Sequence, residues 1–106
     1  MAQRTIDLKY LTGDGKVRNL SGHEKGSAAR ARFELDVLDR ENEPVAVLVP
    51  DALYAISSSF VQGMFAASLV TLGSLEAFFA HYQFRANAAI IRQIERGLAA
   101  KRMAAA

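Results

Sequence analysis

The sequence predicts a small α/β domain, with a mixed sheet of about four strands flanked by helices. Residues 45–49, VAVLV, read as a strand without polar interruption, which is typical of a strand covered on both faces. Residues 58–72 read as a helix that is apolar almost all the way round, so it must be buried between layers or form an interface. Strands and helices alternate along the chain, which favours a sheet with helical crossovers.

The composition is that of one globular domain. The chain has 106 residues, of which 51% are hydrophobic and 23% charged, and this supports a single modest core. We assign residues 1–103 to one domain and expect residues 104–106 to fray. The chain has no cysteine, and it shows no signal peptide or membrane-spanning run, so we expect a cytoplasmic protein.

The first half of the chain predicts a hairpin followed by a helix. Residues 4–11 alternate apolar and polar side chains like a half-buried strand, and residues 12–15, TGDG, are turn formers. Residues 16–20 are then expected to return as a second strand. Residues 22–40 fit both periods, but their length and the alanine-rich run favour a helix, which Pro44 would follow as a breaker.

The second half predicts two more helices around a short strand. Gly73 is the expected C-cap of the buried helix, and Ser74 the cap of a helical segment up to residue 80. Residues 81–85 alternate as a strand, and Asn87 is expected to cap a last helix. The apolar stripe of that helix consists of Ile90, Ile91, Ile94 and Leu98.

Three consecutive serines, Ser57, Ser58 and Ser59, open the buried helix. One of them is expected to be the N-cap, accepting a hydrogen bond from a backbone N–H of the first turn. The remaining hydroxyls have two interpretations. They are part of the same cap, or they mark a phosphate site, for a bound ligand or for a phosphorylated serine, because a helix N-terminus favours negative charge.

No catalytic or metal-binding motif accompanies the serines. Asp51 after a proline is typical of a turn residue, and His23 and His81 lack the spacing of a zinc-binding pair. P-loop and nucleophile-elbow spacings are absent. We therefore predict a protein that is not an enzyme and that needs no cofactor or metal.

The end of the chain is basic. Its last 22 residues carry a net charge of about +4, and the remainder of the chain carries about −2, which together give the net charge of +2. The simplest interpretation is a solvated helix face with cations near a helix C-terminus. The alternative is a nucleic-acid-associated protein that acts through this helix, which the absence of aromatic residues from the segment disfavours.

Several segments resemble the STAS-like domain family of uncharacterised bacterial proteins. They are GSAAR at 26–30, PDALYAISSSF at 50–60 and GMF at 63–65, and the resemblance covers roughly residues 20–100. That family is similar to the STAS domains of anti-sigma-factor antagonists, whose fold is a small mixed sheet flanked by helices. The resemblance therefore implies the same architecture here.

The resemblance also implies a switch. In those antagonists, an anti-sigma kinase phosphorylates a serine or threonine at the start of the corresponding helix, which breaks partner binding. By position, Ser58 is the first candidate for phosphorylation, followed by Ser59 and Ser57. Ser57 and Phe60 stand where the antagonists have aspartate and glycine. The implied partner is a protein, of the kinase-type anti-sigma factor or histidine-kinase-like ATPase class.

We expect a protein partner to contact the start of the buried helix. The expected contact residues are Tyr54, Ser57, Ser58, Phe60, Val61 and Met64. A helix that is apolar on every side has more apolar surface than one sheet face covers, so a homo-oligomer is a second expectation. A small-molecule or nucleotide sensor is a third alternative, because STAS-type domains in general accommodate ligands, but no motif in this chain supports it.

Overall fold

The structure is a computed structural model and describes residues 4–13 and 16–105, with side chains up to residue 99. The strands are β1 (Arg4–Asp7), β2 (Asn19–Leu20), β3 (Val45–Leu48), β4 (Ala55–Ile56) and β5 (Tyr82–Arg85). The helices are α1 (His23–Arg32), α2 (Leu35–Leu38), α3 (Ser58–Leu72), α4 (Leu75–His81) and α5 (Ala88–Ala105), and a 3₁₀ turn covers Leu8–Leu11.

The strands form two small parallel sheets. The first has the order β1-β3-β5, and the second pairs β2 with β4. Every pairing within the described ranges is parallel, because each connection between paired strands passes through helical segments that carry the chain back to the same end. The predicted α/β class is confirmed, whereas the expected mixed sheet is replaced by parallel ones.

The predicted N-terminal hairpin is wrong. β1 ends at Asp7, whose carboxylate accepts a hydrogen bond from the backbone of Lys9 at 3.0 Å and starts the 3₁₀ turn. β1 then pairs with β3, which brings Ile6 opposite Val47 in the core. β2 contributes only Leu20 to the core, so pairing with β3 buries more apolar surface than a hairpin would. Part of the predicted turn, residues 14–15, lies outside the described residues.

The helix predicted over residues 22–40 forms in two pieces. α1 ends at Arg32, and Glu34 takes a left-handed backbone conformation, with φ of 56°, that interrupts the helix. α2 follows as a single turn that buries Leu35 and Leu38. The break therefore turns the chain so that the apolar residues of the second piece reach the core.

The elements predicted in the second half are confirmed. α3 has the predicted bounds, and Gly73 ends it with a positive φ of 95°. Ser74 caps α4 by accepting from the backbone N–H of Ala77, and Asn87 accepts from that of Ile90. Of the predicted stripe, Ile90, Ile94 and Leu98 are fully buried. α5 continues to Ala105, into the segment expected to fray, and Ala106 lies outside the described residues.

α3 is the central helix of the fold. Its residues Phe60, Val61, Met64 and Phe65 are fully buried, which confirms burial between layers. Val70, 79% exposed, is its only exposed large hydrophobic residue. Most of the apolar surface of α3 is thus covered within the chain, and the homo-oligomer stays a prediction. No single helix in the described ranges has the length and apolar character to cross a membrane. Taken together, α3 and α4 have that length and character, but they are bent by 106° at the break between them.

α1 and α3 approach each other so closely that only glycine fits between them. A Cβ atom on Gly63 would lie 2.2 Å from the carbonyl oxygen of His23, and one on Gly26 would lie 2.2 Å from that of Phe60. Both obstructing atoms belong to backbone, which cannot turn aside as a side chain can. The two glycines therefore set the distance between the helices.

α5 packs on α3 near its N-terminus. A Cβ atom on Gly97 would lie 2.8 Å from the Cβ of Val61 and 3.3 Å from the Cα of Ser58. On the sheet side, the ring of Phe65 contacts Phe78 at 5.4 Å and Phe84 at 5.5 Å between centroids. α3 is therefore packed between α1 and α5, with close glycine contacts to each of them. The aromatic rings of α4 and β5 pack against a further side of α3.

We expect Gly63→Ala to lower the free energy of unfolding by about 2 kcal/mol or more, because the added methyl group overlaps a backbone carbonyl. The better helix propensity of alanine offsets this by only about 1 kcal/mol. Urea denaturation measures the change. Ser27→Ala, an exposed position on α1, is the control and should stay within about 0.5 kcal/mol of the parent. Equal stability of both variants would contradict the close packing of α1 and α3.

Candidate functional site

The three serines at the start of α3 have different environments. Ser57 is the N-cap, and its hydroxyl accepts a hydrogen bond from the backbone N–H of Phe60 at 3.1 Å. Its own backbone N–H donates to the carbonyl oxygen of Leu20 at 2.8 Å. Ser57 therefore ends the pairing of β4 with β2 and starts the helix, which is the structural role that the sequence predicted for one of the three serines.

Ser59 joins the starts of two helices. Its hydroxyl accepts a hydrogen bond from the backbone N–H of Gly22, the N-cap of α1, at 3.3 Å. The same oxygen lies 3.0 Å from the hydroxyl oxygen of Ser57. A second serine hydroxyl is therefore occupied by contacts inside the protein.

Ser58 differs from both of its neighbours. It is the first residue of α3 and is exposed, and its hydroxyl makes no hydrogen bond to any other described residue. Its Cα faces Gly97 of α5, so the backbone is fixed while the side chain meets solvent. Ser59 is exposed as well, but its hydroxyl is held by Gly22, so the hydroxyl of Ser58 is the one without a hydrogen bond to another described residue.

The N-termini of α1 and α3 lie side by side. Gly22 contacts Ser59, and Arg30, near the end of α1, contacts Met64 and Ser68 further along α3, so the two helices run in the same direction. The N-terminus of α1 therefore lies beside Ser59, and the positive end of the α3 dipole lies at Ser58, where it favours negative charge.

The segment that leads into the serines is anchored to α5. The side-chain oxygen of Gln93 accepts a hydrogen bond from the backbone N–H of Ile56 at 2.7 Å, and its amide nitrogen lies 3.5 Å from the carbonyl oxygen of Tyr54. Tyr54 keeps its side chain 63% exposed. The structure thus presents Tyr54 and Ser58 on the surface at the two ends of one anchored segment.

Three of the expected partner contacts are core residues. Phe60, Val61 and Met64 are at most 1% exposed, because α1 and α5 cover α3 on both flanks. A partner that binds the folded domain cannot reach them, so these three residues are not part of a contact surface on the folded domain. Tyr54, Ser57 and Ser58 remain on it.

Other residues singled out in the sequence do not converge on a site. Asp51 is exposed in a turn and His23 is exposed in α1. His81 is buried, and its Nε2 lies 2.7 Å from the carbonyl oxygen of Leu38. Within the described ranges, no group of three or more His, Asp or Glu residues is arranged to hold a metal ion.

The basic residues at the end of the chain lie on the surface where they are described. Arg85, Arg92 and Arg96 are exposed, and none of them forms an ion pair with a described residue. The side chains of Lys101 and Arg102 lie outside the described part. The three described arginines therefore fit the solvated face that was the simplest interpretation of the sequence.

A buried ionic network lies at the other end of the contact between α1 and α3, and the sequence did not reveal it. The carboxylate of Asp39 accepts hydrogen bonds from Arg30 at 2.5 Å, from Ser68 at 2.6 Å and from the hydroxyl of Tyr82 at 2.5 Å. Arg30 also donates to the hydroxyl of Ser68 and to the carbonyl oxygen of Met64. The network thus connects α1, α3, β5 and the turn after α2.

The charges of this network are matched. The side chain of Asp39 is 2% exposed and that of Arg30 is 13% exposed, so each needs the other in order to stay charged without water. Burial lowers the pKa of Arg30, but its hydrogen bonds to Asp39 and Asp36 outweigh this and the pKa is raised overall. Burial, together with the hydrogen bond to Asp39, raises the pKa of Tyr82.

One sequence signal does point to this network. Ser68 is a polar residue on the buried side of a helix that is otherwise apolar there, and a buried hydroxyl requires a hydrogen-bond partner. The partner could not be named, because Asp36 and Asp39 occur in one short segment, LDVLD, and look equivalent in sequence. Only the tertiary fold makes one of them buried and the other exposed.

The comparisons with known proteins add no relative. No family model matches the chain, and neither a curated protein nor a solved structure does so. The functional assignment therefore depends on the residues and geometry described above.

The two aspartates that contact Arg30 allow a matched test of burial. We expect Asp39→Ala to cost about 3 kcal/mol or more, because it leaves Arg30, Ser68 and Tyr82 without their common acceptor. Asp36→Ala removes a carboxylate that is 82% exposed and should cost at most about 1 kcal/mol. Chemical denaturation of both variants measures this. Similar losses in the two variants would contradict the assignment of Asp39 as the centre of the network.

Tyr82 should make folding sensitive to alkaline pH. Because folding raises its pKa above the unfolded value of about 10, the stability that it contributes is complete below that pH and is lost as the pH rises beyond it. Tyr82→Phe should cost about 1–2 kcal/mol at neutral pH and should reduce the alkaline loss. Unfolding curves from pH 7 upward, with the exposed Tyr54→Phe as control, measure both effects. An alkaline loss in Tyr82→Phe equal to that of the parent would exclude Tyr82 as its source.

Proposed function

We propose that this protein is a non-enzymatic regulatory module of the STAS-like type, which binds a protein partner and is switched by phosphorylation of Ser58. The observation that carries the proposal is that the three serines make different hydrogen-bond contacts. Ser57 caps α3 and Ser59 holds α1 to α3, whereas Ser58 is exposed and makes no hydrogen bond to another described residue. A modified Ser58 is therefore compatible with the intact fold.

The chemistry of the switch follows from its position. A partner kinase transfers the γ-phosphoryl group of ATP to the hydroxyl oxygen of Ser58, with release of ADP and of the hydroxyl proton. The product carries about −1.5 to −2 charges at neutral pH. At the first residue of α3, this charge is stabilised by the helix N-terminus. The folded state of the domain therefore accepts the phosphate at little cost.

The effect falls on the partner. The surface between Tyr54 and Ser58 is the proposed contact, with Tyr54 as the exposed aromatic residue and Ser58 at its edge. A partner that covers Ser58 would have to desolvate the phosphate or pair its charge, and an interface that fits a neutral serine does neither. Phosphorylation would thus release the partner. The resemblance in sequence indicates a kinase-type anti-sigma factor or a histidine-kinase-like ATPase as that partner.

The α/β class and a serine-led helix directly after a strand are compatible with the resemblance to STAS-like domains, but the two parallel sheets differ from the mixed sheet that the resemblance implies. The nucleic-acid alternative has less support. It depends on exposed arginines of α5, in a segment whose sequence from residue 85 onward contains no aromatic residue for stacking. We therefore propose the partner-binding function alone.

We expect a kinase-like ATPase from the same genome, incubated with this protein and ATP, to add one phosphate at Ser58. Phosphopeptide mass spectrometry locates it. Ser58→Ala should abolish the modification, whereas Ser27→Ala, which alters an exposed serine of α1, should not. Phosphate on Ser57 or Ser59 in place of Ser58 would contradict the assignment of roles, and absence of phosphate on all three would refute the switch.

The same partner provides the binding test. Ser58→Glu should weaken its binding by about tenfold or more, because the charge lies inside the proposed contact. Ser27→Glu adds the same charge to α1 and should leave the affinity within about twofold. Both variants should unfold within about 0.5 kcal/mol of the parent, which separates a lost contact from a lost fold. Equal affinities for the two Glu variants would place the contact elsewhere.

A further inference from the structure

A second surface feature lies beside the start of α1 and α3. It is a cleft of about 220 Å³ between the 3₁₀ turn, β2 and α1, and its floor is formed by the buried residues Leu20, Ala29 and Phe60. Of its seven lining residues, five are apolar. The volume is below the range of about 300–1,000 Å³ that is typical of sites for drug-sized ligands. An occupant of this cleft must therefore be small and largely apolar.

The polar part of the cleft is entirely cationic. The remaining two lining residues are Lys25 and Arg32, which are seven positions apart and so lie on one face of α1, about 10 Å apart along its axis. Ala28 and Ala29 lie between them on the same face, and their small side chains leave the cleft open. Two cations thus bracket an apolar floor.

Neither cation is neutralised by a described residue. The ion pairs of the described part involve other cations, namely Arg4, Lys9 and Arg30. Arg32 instead has its guanidinium 5.8 Å from the centre of the ring of Tyr10, which orients the group without cancelling its charge. No acidic side chain lines the cleft, so the charged side chains that line it attract an anion and none repels it.

We propose that this cleft binds a small amphiphilic anion, a short-chain or medium-chain carboxylate. The apolar chain lies on Leu20, Ala29 and Phe60, and the carboxylate pairs with Lys25 or Arg32. The size limit, the apolar floor and the unpaired cations each select this ligand class. The site is separate from Ser58 and does not depend on the phosphorylation switch.

The test is a titration of the full chain with octanoate, followed by amide chemical shifts in NMR and by calorimetry. Binding should shift the amides of Leu20, Ala29 and Phe60 and leave those of α5 from Arg92 to Arg96 unchanged. Octanol, which has the same chain and no charge, should bind at least about fivefold more weakly. Absence of shifts at the cleft, or equal binding of octanol and octanoate, would overturn the proposal.

A matched pair of variants locates the site. Ala28→Phe fills the cleft from its exposed rim and should weaken octanoate binding by about tenfold or more, whereas Ala31→Phe, on an exposed position of α1 outside the cleft, should not. Replacement of both cations, Lys25→Gln with Arg32→Gln, should weaken octanoate by about fivefold and leave octanol unchanged. Circular dichroism confirms the fold of each variant. Equal affinity of the two Phe variants would contradict the assigned position, and the amide shifts of the parent chain test it independently of any substitution.

Discussion

The contact between the backbones of α1 and α3 is the constraint on which the rest of the structure depends. Because Gly26 and Gly63 have no Cβ, backbone carbonyl oxygens of the facing helix can come within contact distance of their Cα atoms. Because the helices run in the same direction, their N-termini come together, and this places Ser59 within hydrogen-bond distance of Gly22. The same approach leaves Ser58 outside the contact. The candidate site is thus a consequence of helix packing and not of a separate loop.

The other end of this contact is closed by a polar network. Asp39 gathers Arg30, Ser68 and Tyr82 around one carboxylate, and each of these groups comes from a different element. A buried charge of this kind contributes little net stability, but it is costly to break. It therefore fixes the register of α1 against α3, since a shift by one helical turn would leave several buried groups unpaired. The apolar core supplies most of the stability, and the network specifies the arrangement.

Local signals in the sequence predicted what local physics decides. The bounds of α3, the caps at Ser74 and Asn87 and the stripe of α5 follow from side chains within a few residues of each other. The pairing partner of β1 could not be predicted in this way, because β3 lies about forty residues away in sequence and the pairing depends on which strands bury more surface together. Burial of Asp39, and not of Asp36, likewise depends on Tyr82 and Ser68. The sequence predicted that the candidate site contains the three serines, but only the tertiary contacts show which of them has which role.

Amide hydrogen exchange at Phe60 tests the separation of those roles most directly. Its N–H donates to the hydroxyl of Ser57, so Ser57→Ala should speed its exchange by about fivefold, the equivalent of a lost cap. Ser58→Ala should leave the exchange unchanged, because that hydroxyl makes no hydrogen bond to another described residue. Faster exchange in Ser58→Ala, equal to that in Ser57→Ala, would show that Ser58 is part of the cap and would contradict the account.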